Sequence, residues 1–318
     1  MKTLTHYLFH IVALCIVAIW GTTFISTKLL IVHGLSPEEI FILRFTIAYA
    51  GICIVSHRKW FAHSWRDELW LALAGITGGS LYFWAENTAL GITQATNVAF
   101  IVCSTPLFTA LLSRLFYRNE PTGRYLLLGS LVAVTGMALV VYNGSFVLQL
   151  SPLGDALSLC ASLAWAFYGF IIRRLSNRYD TLFITRKIFF YGLITILPAF
   201  ALHPWKVNLS VLMQPLVLGN LLFLGVLASL VCYAVWNLVL KKLGTVRASN
   251  YLYLNPLFTL LGATLWLNDR ITPMALLGSA AILFGVWLAG RGKKASKPLP
   301  LQSVKTSNEP SKNGLISD

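Results

Sequence analysis

The sequence has few charged residues and few cysteines for its length. Only 11% of its 318 residues are charged, whereas an ordinary soluble domain carries about a quarter. The five cysteines fall singly inside apolar stretches, without CxxC or other metal-ligand spacing. They are interpreted as small core residues, and no metal site is predicted. The low charge argues against an ordinary soluble domain and favours a lipid environment.

Motifs of other function classes are also missing. There is no HExxH, no GxSxG and no pair of acids within an apolar stretch, so no catalytic residue is predicted. No charged ring or filter-like motif indicates a channel. The net charge of +14 forms no basic stripe interleaved with aromatic residues, so no nucleic-acid partner is expected. A polytopic intramembrane enzyme and a channel-like protein remain the alternatives.

Long apolar stretches fill most of the chain, and 57% of its residues are hydrophobic. A bilayer core of roughly 30 Å needs about 20 apolar residues per helical span. Because the apolar runs are continuous and do not alternate as in a barrel, helices are expected. Ten transmembrane helices are predicted, at residues 7–29, 39–57, 69–90, 93–116, 124–142, 154–173, 182–201, 217–240, 246–267 and 273–290. The predicted fold class is an all-α integral membrane protein in the lipid bilayer.

The basic residues lie mainly on one side of these spans. With a cytoplasmic N-terminus, 21 of the 25 Lys and Arg residues fall on the cytoplasmic side and 4 on the other. Since cytoplasmic loops carry the excess of Lys and Arg, both termini of this multi-pass protein are expected inside the cell (inner) membrane. The segment 291–318 is polar and rich in Lys, Ser and Pro, and is predicted to be a disordered cytoplasmic tail.

The two halves of the sequence repeat one another. A shift of 150 residues superposes Asn87 on Asn237, and the tetrapeptide PLFT at Pro106 on that at Pro256. Each span therefore has a mate five helices later. Chance similarity among Leu-rich helices is disfavoured, because separate landmarks keep a nearly constant offset.

Five is an odd number, so the second unit must enter the membrane with the opposite orientation. The sequence thus predicts two inverted five-helix repeats, at residues 7–142 and 154–290. Inverted repeats are typical of secondary transporters, whose substrate sites lie near the midplane between the halves. The predicted mechanism is alternating access, in which the halves expose that site first to one side and then to the other.

A pair of glycines seven residues apart also recurs in both halves. Gly129 and Gly136 return as Gly278 and Gly285. This spacing places both glycines of a pair on one helix face, where small residues let helices approach closely. Close packing of helices is expected there, and a homodimer interface is the alternative.

Several ordered segments resemble a known family. They include AIWGTTFISTK, ENTALGITQATNVAFIVCSTPLFTALLSRLFYRNE and NPLFTLLGATLWLNDRITPMALLGSAAILFGVWLA. By their order and repetition, the chain resembles the EamA-type, ten-helix members of the drug/metabolite transporter superfamily over residues 7–290. One departure is Asp269, where such repeats usually carry Glu, as Glu120 does in the first half. The resemblance implies export or exchange of small metabolites or amino acids through a central cavity, and no cofactor is predicted.

Aromatic and amide side chains within the spans are the predicted lining of a substrate cavity. The substrate-binding candidates are Trp20, Tyr82, Glu86, Asn87, Asn97, Trp165, Tyr168, Asn237, Tyr253 and Asn255. Pro106 and Pro256 are predicted to interrupt matched spans, and interrupted helices at mated positions indicate a transporter site. Interfacial aromatic belts and simple helix packing are the alternatives for the tryptophans and the prolines.

Glu86 is the one acidic residue clearly inside a predicted span. An ionisable side chain at the bilayer centre costs about 2.5 to 3.5 kcal/mol on insertion scales, so it normally faces a cavity or a partner. Glu86 is predicted to bind the small-molecule substrate or to couple transport to a proton or counter-solute. The alternative is a structural ion pair with Lys28 or Arg44, which are predicted to lie at similar depth.

Overall fold

Every element that the computed structural model of the protein describes is a helix. The described residues are 2–56, 60–93, 95–116, 124–142, 151–267 and 272–291. The α-helices are α1 (Lys2–Val32), α2 (Pro37–Val55), α3 (Trp65–Gly75), α4 (Leu81–Ile92), α5 (Ala95–Val102), α6 (Thr105–Phe116), α7 (Arg124–Tyr142), α8 (Pro152–Leu175), α9 (Thr181–Ile196), α10 (Ala199–Leu202), α11 (Leu209–Leu212), α12 (Pro215–Leu222), α13 (Cys232–Leu243), α14 (Thr245–Ser249), α15 (Asn255–Leu267) and α16 (Pro273–Gly290). Two π-helical segments, Ile76–Ser80 and Phe223–Val231, and one 3-10 segment, Asn250–Leu254, continue their neighbours.

Five helical stretches among the described residues are long and apolar enough to cross a bilayer. They are Tyr7–Val32, Val98–Phe116, Pro152–Leu175, Thr181–Leu202 and Pro215–Leu243. Two shorter apolar helices are Tyr125–Leu139 and Leu276–Ala289. The prediction of an all-helical membrane protein is confirmed, whereas the predicted ten spans are not all resolved at full length. The predicted tail beyond Arg291 lies outside the described residues.

The start of α2 is fixed by a buried carboxylate. The Ser36 hydroxyl accepts a hydrogen bond from the backbone N–H of Glu39 at 3.2 Å, and one oxygen of the Glu39 carboxylate accepts from the N–H of Ser36 at 2.8 Å. This capping box satisfies two backbone donors that a helix start leaves unpaired. The second oxygen of Glu39 accepts from the N–H groups of Lys206 at 2.6 Å and Val207 at 2.8 Å. Glu39 thereby joins the start of α2 to the segment before α11.

A corresponding junction joins α3 to the loop before α9. Asp67 accepts hydrogen bonds from Arg178 at 3.1 Å and from the Tyr179 hydroxyl at 2.9 Å, and that hydroxyl accepts from the backbone of His63 at 2.9 Å. Burial alone would raise the pKa of Asp67, but the hydrogen bond from Tyr179 and the charge of Arg178 outweigh it and hold that pKa below its usual range. The ionised carboxylate therefore connects the two halves of the chain.

Helices α7 and α16 pack against each other through the repeated glycines, all four of which are buried. A Cβ added at Gly129 would lie 2.5 Å from the carbonyl oxygen of Gly285, and one added at Gly136 would lie 2.6 Å from that of Gly278. The two helices are antiparallel, because the earlier glycine of α7 contacts the later glycine of α16 and the later one contacts the earlier. The expected close packing occurs within the chain, so these glycines are not free to form the homodimer interface considered as the alternative.

The π-helical segments occupy matched positions in the two halves. Shifting Ile76–Ser80 by 150 residues, the offset that superposes Asn87 on Asn237, gives residues 226–230, which lie within Phe223–Val231. Beside the first segment, a Cβ on Gly75 would lie 3.1 Å from the backbone of Gly192 in α9; within the second, a Cβ on Gly225 would lie 2.9 Å from the side chain of Ile47 in α2. Each half therefore packs its third predicted span on the second span of the other half.

Candidate functional site

A partly open cavity lies where both halves of the chain meet, and the space between its walls, counted together with open solvent, is about 450 Å³. Its lining comes from α1, α2, α4 and α8 and from the two places where a span is interrupted. The lining residues are Trp20, Thr23, Phe24, Arg44, Tyr82, Phe83, Glu86, Val102, Thr105, Trp165, Leu252 and Asn255. The lining combines aromatic and aliphatic side chains with several polar groups, and such a mixed cavity suits a small organic ligand.

Two tryptophans that match in the two repeats, at a shift of 145 residues from Trp20 to Trp165, form one wall of the cavity. The rings of Trp20 and Trp165 meet edge to face, with centroids 5.4 Å apart, and Tyr82 stands 4.7 Å from Trp165. The Trp20 indole N–H donates to the carbonyl of Ala228 at 3.0 Å, which fixes the orientation of its ring. Edge-to-face pairs of this kind hold aromatic side chains rigidly. Both tryptophans are buried, which argues against the alternative of lipid-facing aromatic belts for these two residues.

Arg44 is a buried cation beside this wall. Its Nε donates to the Ser229 hydroxyl at 2.9 Å, and its guanidinium carbon lies 4.3 Å above the Phe83 ring. Within the part of the chain that the structure describes, its two Nη groups have no hydrogen-bond partner. Arg44 is also one of the residues that line the cavity.

Glu86 is the only carboxylate among the residues lining the cavity. It interacts with the Tyr82 hydroxyl one helical turn earlier and attracts Arg44 electrostatically, but it forms no ion pair with any described residue. Lys28 points elsewhere, because its Nζ donates to the carbonyls of Leu90 at 2.5 Å and Thr93 at 3.2 Å. These carbonyls end α4, where a cation is stabilising. Lys28 is therefore not the partner of Glu86.

The first interrupted span borders the cavity at the gap between α5 and α6. Pro106 stands in the first turn of α6, where its missing N–H is not needed. Pro106 has no N–H to donate to the Val102 carbonyl four residues earlier. That carbonyl instead accepts hydrogen bonds from the Thr105 hydroxyl at 2.7 Å and from the Ser162 hydroxyl at 3.3 Å. The freed carbonyl is thus satisfied within the protein.

The second interruption has the same construction. Pro256 is the second residue of α15, and the 3-10 segment precedes it. The Leu252 carbonyl accepts from the Cys103 thiol at 3.2 Å and from the backbone N–H of Asn255. Both freed carbonyls therefore have hydrogen-bond partners within the protein. The residues that the two interruptions add to the cavity lining are Val102, Thr105, Leu252 and Asn255.

Four other predicted site residues do not line the cavity. Two of them bond to each other: the Tyr168 hydroxyl donates to Oδ1 of Asn237, whose Nδ2 donates to the Thr185 hydroxyl at 2.9 Å. All three side chains are buried. Hydroxyl and amide groups often hydrogen-bond between membrane helices, and this connection between α8, α9 and α13 is structural.

The remaining two lie in the packed interior. Nδ2 of Asn87 donates to the carbonyl of Pro37 at 3.2 Å, which joins α4 to the start of α2. Tyr253 is fully buried in the core. The side chain of Asn97, also predicted as a site residue, lies outside the described residues.

Arg44 is the main cavity residue that the predicted set omits. The available signal was its charge inside a predicted span, which by itself indicates a cavity or a partner. The apolar lining residues Phe24, Val102 and Leu252 have no such signal, because apolar residues are equally common on lipid-facing and buried helix surfaces.

Comparison with known proteins matches the EamA-like transporter family twice, over residues 8–142 and 152–291. An "Uncharacterized transporter" of Archaeoglobus fulgidus is 28% identical over 91% of this chain and 98% of its own length. A "Probable amino-acid metabolite efflux pump" of Escherichia coli is 23% identical over 92% and 98%. A "Probable terminal-alkyne amino-acid exporter" of Streptantibioticus cattleyicolor is 27% identical over 73% and 78%.

The fold also occurs in a solved structure. That chain, described as "Crystal structure of protein", superposes with a TM-score of 0.68 at 17% identity. The match covers 90% of this chain and 96% of the other. At this identity the similarity concerns the fold alone.

Proposed function

This chain belongs to the EamA-like transporter family, and we propose that it exports or exchanges an amino-acid-like solute across the cytoplasmic membrane by alternating access. It is a membrane transporter with a duplicated domain and not an enzyme. The amino-acid part of the proposal rests on relatives described as amino-acid metabolite efflux pumps and exporters. A channel is disfavoured, because the small aromatic cavity resembles a ligand pocket more than a continuous pore.

Symmetric packing supports an inverted relation between the two repeats. Mated helices α7 and α16 cross antiparallel through mated glycines, and mated Trp20 and Trp165 touch each other. Each glycine of α7 approaches the mate of the other glycine, as a twofold relation between two antiparallel helices requires, so these helices and the tryptophan pair lie close to a pseudo-twofold axis. An axis in the membrane plane would relate five-helix units of opposite orientation, as in many secondary transporters.

One observation carries the transport proposal: the cavity is shared by both repeats at their matched interruptions. Thr105 of the first repeat and Asn255 of the second both line it, and each follows the point where its span is broken. A site divided between two packed bodies changes its exposure when one body rocks against the other. Its aromatic walls together with its polar groups suit a small amphipathic solute.

Cysteine labelling tests the opposite orientation of the repeats. Phe61 and Leu209 follow the second and seventh predicted spans and are 81% and 69% exposed. In a variant without native cysteines, we expect a membrane-impermeant maleimide to label Leu209→Cys in intact cells and Phe61→Cys only after permeabilisation. Equal labelling of both positions in intact cells would contradict the inverted topology, and labelling after permeabilisation controls for reactivity.

Counterflow into proteoliposomes tests transport. We expect purified protein to accelerate exchange of at least one amino acid, in a panel that also holds nucleosides, sugars and amphipathic cations. Trp165→Ala is expected to lower the rate about tenfold, because it removes an aromatic wall with contacts worth about 1.5 kcal/mol. Trp65→Ala is the matched control, since Trp65 is 85% exposed. Product release by hydrolysis without net movement would favour an enzyme instead.

A further inference from the structure

A second groove lies between α6 of the first repeat and α8 and α14 of the second. The space between its walls, counted together with open solvent, is about 230 Å³. Its lining includes Thr109, Leu112, Ser113, Phe170, Arg173 and Thr245. None of these residues lines the central cavity. Because Arg173 is the charged residue of its lining, this groove is named the basic groove.

The basic groove lies where three helices reach one side of the membrane. Helix α6 ends at Phe116, α8 ends at Leu175, and α14 begins at Thr245. These are the ends of the fourth, sixth and ninth predicted spans on the side that the count of Lys and Arg predicts to be cytoplasmic. The cytoplasmic leaflet carries anionic lipids, and basic pockets between transmembrane helices on this side bind anionic headgroups. The groove is therefore expected at the depth of lipid headgroups.

The helix ends near the basic groove carry positive charge. The last turns of α6, α8 and α13 contain Arg114, Arg173, Arg174, Lys241 and Lys242. Helices α6, α13 and α14 carry no acidic residue. A guanidinium has five N–H donors, so it can hold a phosphate while it keeps another partner. Arg173 thus gives the groove a group that matches a phosphate.

Two buried hydroxyls add polar atoms to the lining. The Thr109 hydroxyl donates to the carbonyl of Thr105 at 2.9 Å, and the Thr245 hydroxyl donates to that of Gly169 at 3.2 Å. Both threonines are buried. A hydroxyl that donates its proton still accepts hydrogen bonds through its oxygen. These oxygens suit a ligand that carries hydroxyl donors beside its phosphate.

Apolar side chains next to the basic groove favour a lipid over a free anion. Leu111 and Leu115 of α6 and Phe167 of α8 are exposed, and they neighbour lining residues along their helices. At membrane depth, such side chains contact acyl chains. A free phosphate ion would gain nothing from them.

We propose that the basic groove binds an anionic phospholipid with a hydroxylated headgroup, of which phosphatidylglycerol is the simplest example. Its phosphate lies on Arg173, its headgroup hydroxyls lie on Thr109 and Thr245, and its acyl chains lie along α6 and α8. Because the lining comes from both repeats, the bound lipid bridges them. This site is separate from the central cavity and does not depend on which solute is transported.

Native mass spectrometry of the full-length protein, titrated with lipids of identical acyl chains, tests the proposal. We expect phosphatidylglycerol to bind about tenfold more tightly than zwitterionic phosphatidylcholine, because the positively charged groove favours a net negative headgroup. Phosphatidylmethanol is anionic but has no headgroup hydroxyl, and it is expected to bind more weakly than phosphatidylglycerol. Equal affinity for phosphatidylglycerol and phosphatidylcholine would overturn the site, and equal affinity for phosphatidylmethanol would overturn the role of the hydroxyls.

Two neighbouring arginines provide matched variants. Arg173→Gln is expected to lower the affinity for phosphatidylglycerol about tenfold, because it removes a charge-assisted hydrogen bond to the phosphate. Arg174→Gln removes the same charge from the next residue, whose guanidinium carbon lies 4.8 Å from the centre of the Trp70 ring, and should leave that affinity nearly unchanged. If both variants weaken binding equally, the lipid is held by the general positive charge and the site is wrong.

Arg173→Lys serves as the second variant if Arg173→Gln does not fold. It keeps the charge but loses the paired donors, so its affinity should lie between those of wild type and Arg174→Gln on one side and that of phosphatidylcholine on the other. Affinity equal to that of Arg174→Gln would contradict a phosphate held by the guanidinium.

Soluble competitors distinguish a lipid from a free anion. Inorganic phosphate and glycerol phosphate carry the anionic group without acyl chains, and a large molar excess of either should leave phosphatidylglycerol bound. Displacement of the lipid at equal concentration would show that the groove takes a free anion and would overturn the proposal. Since lipid binding is measured without a transported solute, its outcome is independent of the counterflow experiment.

Discussion

Glu86→Gln is expected to lower counterflow of the transported amino acid about a hundredfold while leaving folded protein unchanged. The substitution keeps the size of the side chain and removes the only carboxylate among the residues that line the cavity. Losing a charge-assisted hydrogen bond in a dry site costs about 3 kcal/mol, which corresponds to about a hundredfold. The measurement is the initial rate of exchange in proteoliposomes, with size-exclusion profiles to show that the variant folds.

Asp155→Asn is the matched control for this substitution. It makes the same chemical change in the first turn of α8, outside the cavity, and should leave the exchange rate within about twofold. We also expect the Glu86→Gln variant to lose any pH dependence that wild-type transport shows, because an amide does not exchange a proton in the working range. Unchanged transport would remove Glu86 from the mechanism.

Gly129→Ala combined with Gly136→Ala is expected to destabilise the protein strongly. Added Cβ atoms would lie 2.4 Å and 2.6 Å from backbone atoms of α16, and backbone cannot move aside without separating the helices. Overpacking typically costs about 1–3 kcal/mol per site. We expect a clearly lower thermal unfolding temperature in detergent and less monodisperse protein.

Gly219→Ala is the control for this pair. Gly219 lies in α12, and a Cβ added there meets nothing within 4 Å. Alanine in a helix interior is favoured over glycine by about 0.5–1 kcal/mol, so this variant should be as stable as wild type or slightly more so. If the double variant unfolds at the same temperature as Gly219→Ala, α7 and α16 do not pack as described.

Half of the predicted substrate-binding set lines the observed cavity. Trp20, Tyr82, Glu86, Trp165 and Asn255 do so, and their role in binding stays a prediction. They were found because aromatic, amide and acidic groups are unusual inside membrane spans. The same criterion also selected Tyr168 and Asn237, which hydrogen-bond to each other, since polarity does not distinguish a ligand contact from a contact between helices.

The sequence by itself determined the helical architecture, the duplication and the positions of the interruptions. A bilayer requires long apolar segments whose backbone groups are satisfied within the segment. These features can therefore be recognised from local composition and from the spacing of the repeat along the sequence. Tertiary structure alone decided which buried polar groups face the cavity. Arg44 bonds Ser229, 185 positions away, and Trp20 bonds Ala228, 208 positions away. Such partners depend on how each helix is rotated and packed, which no local pattern specifies.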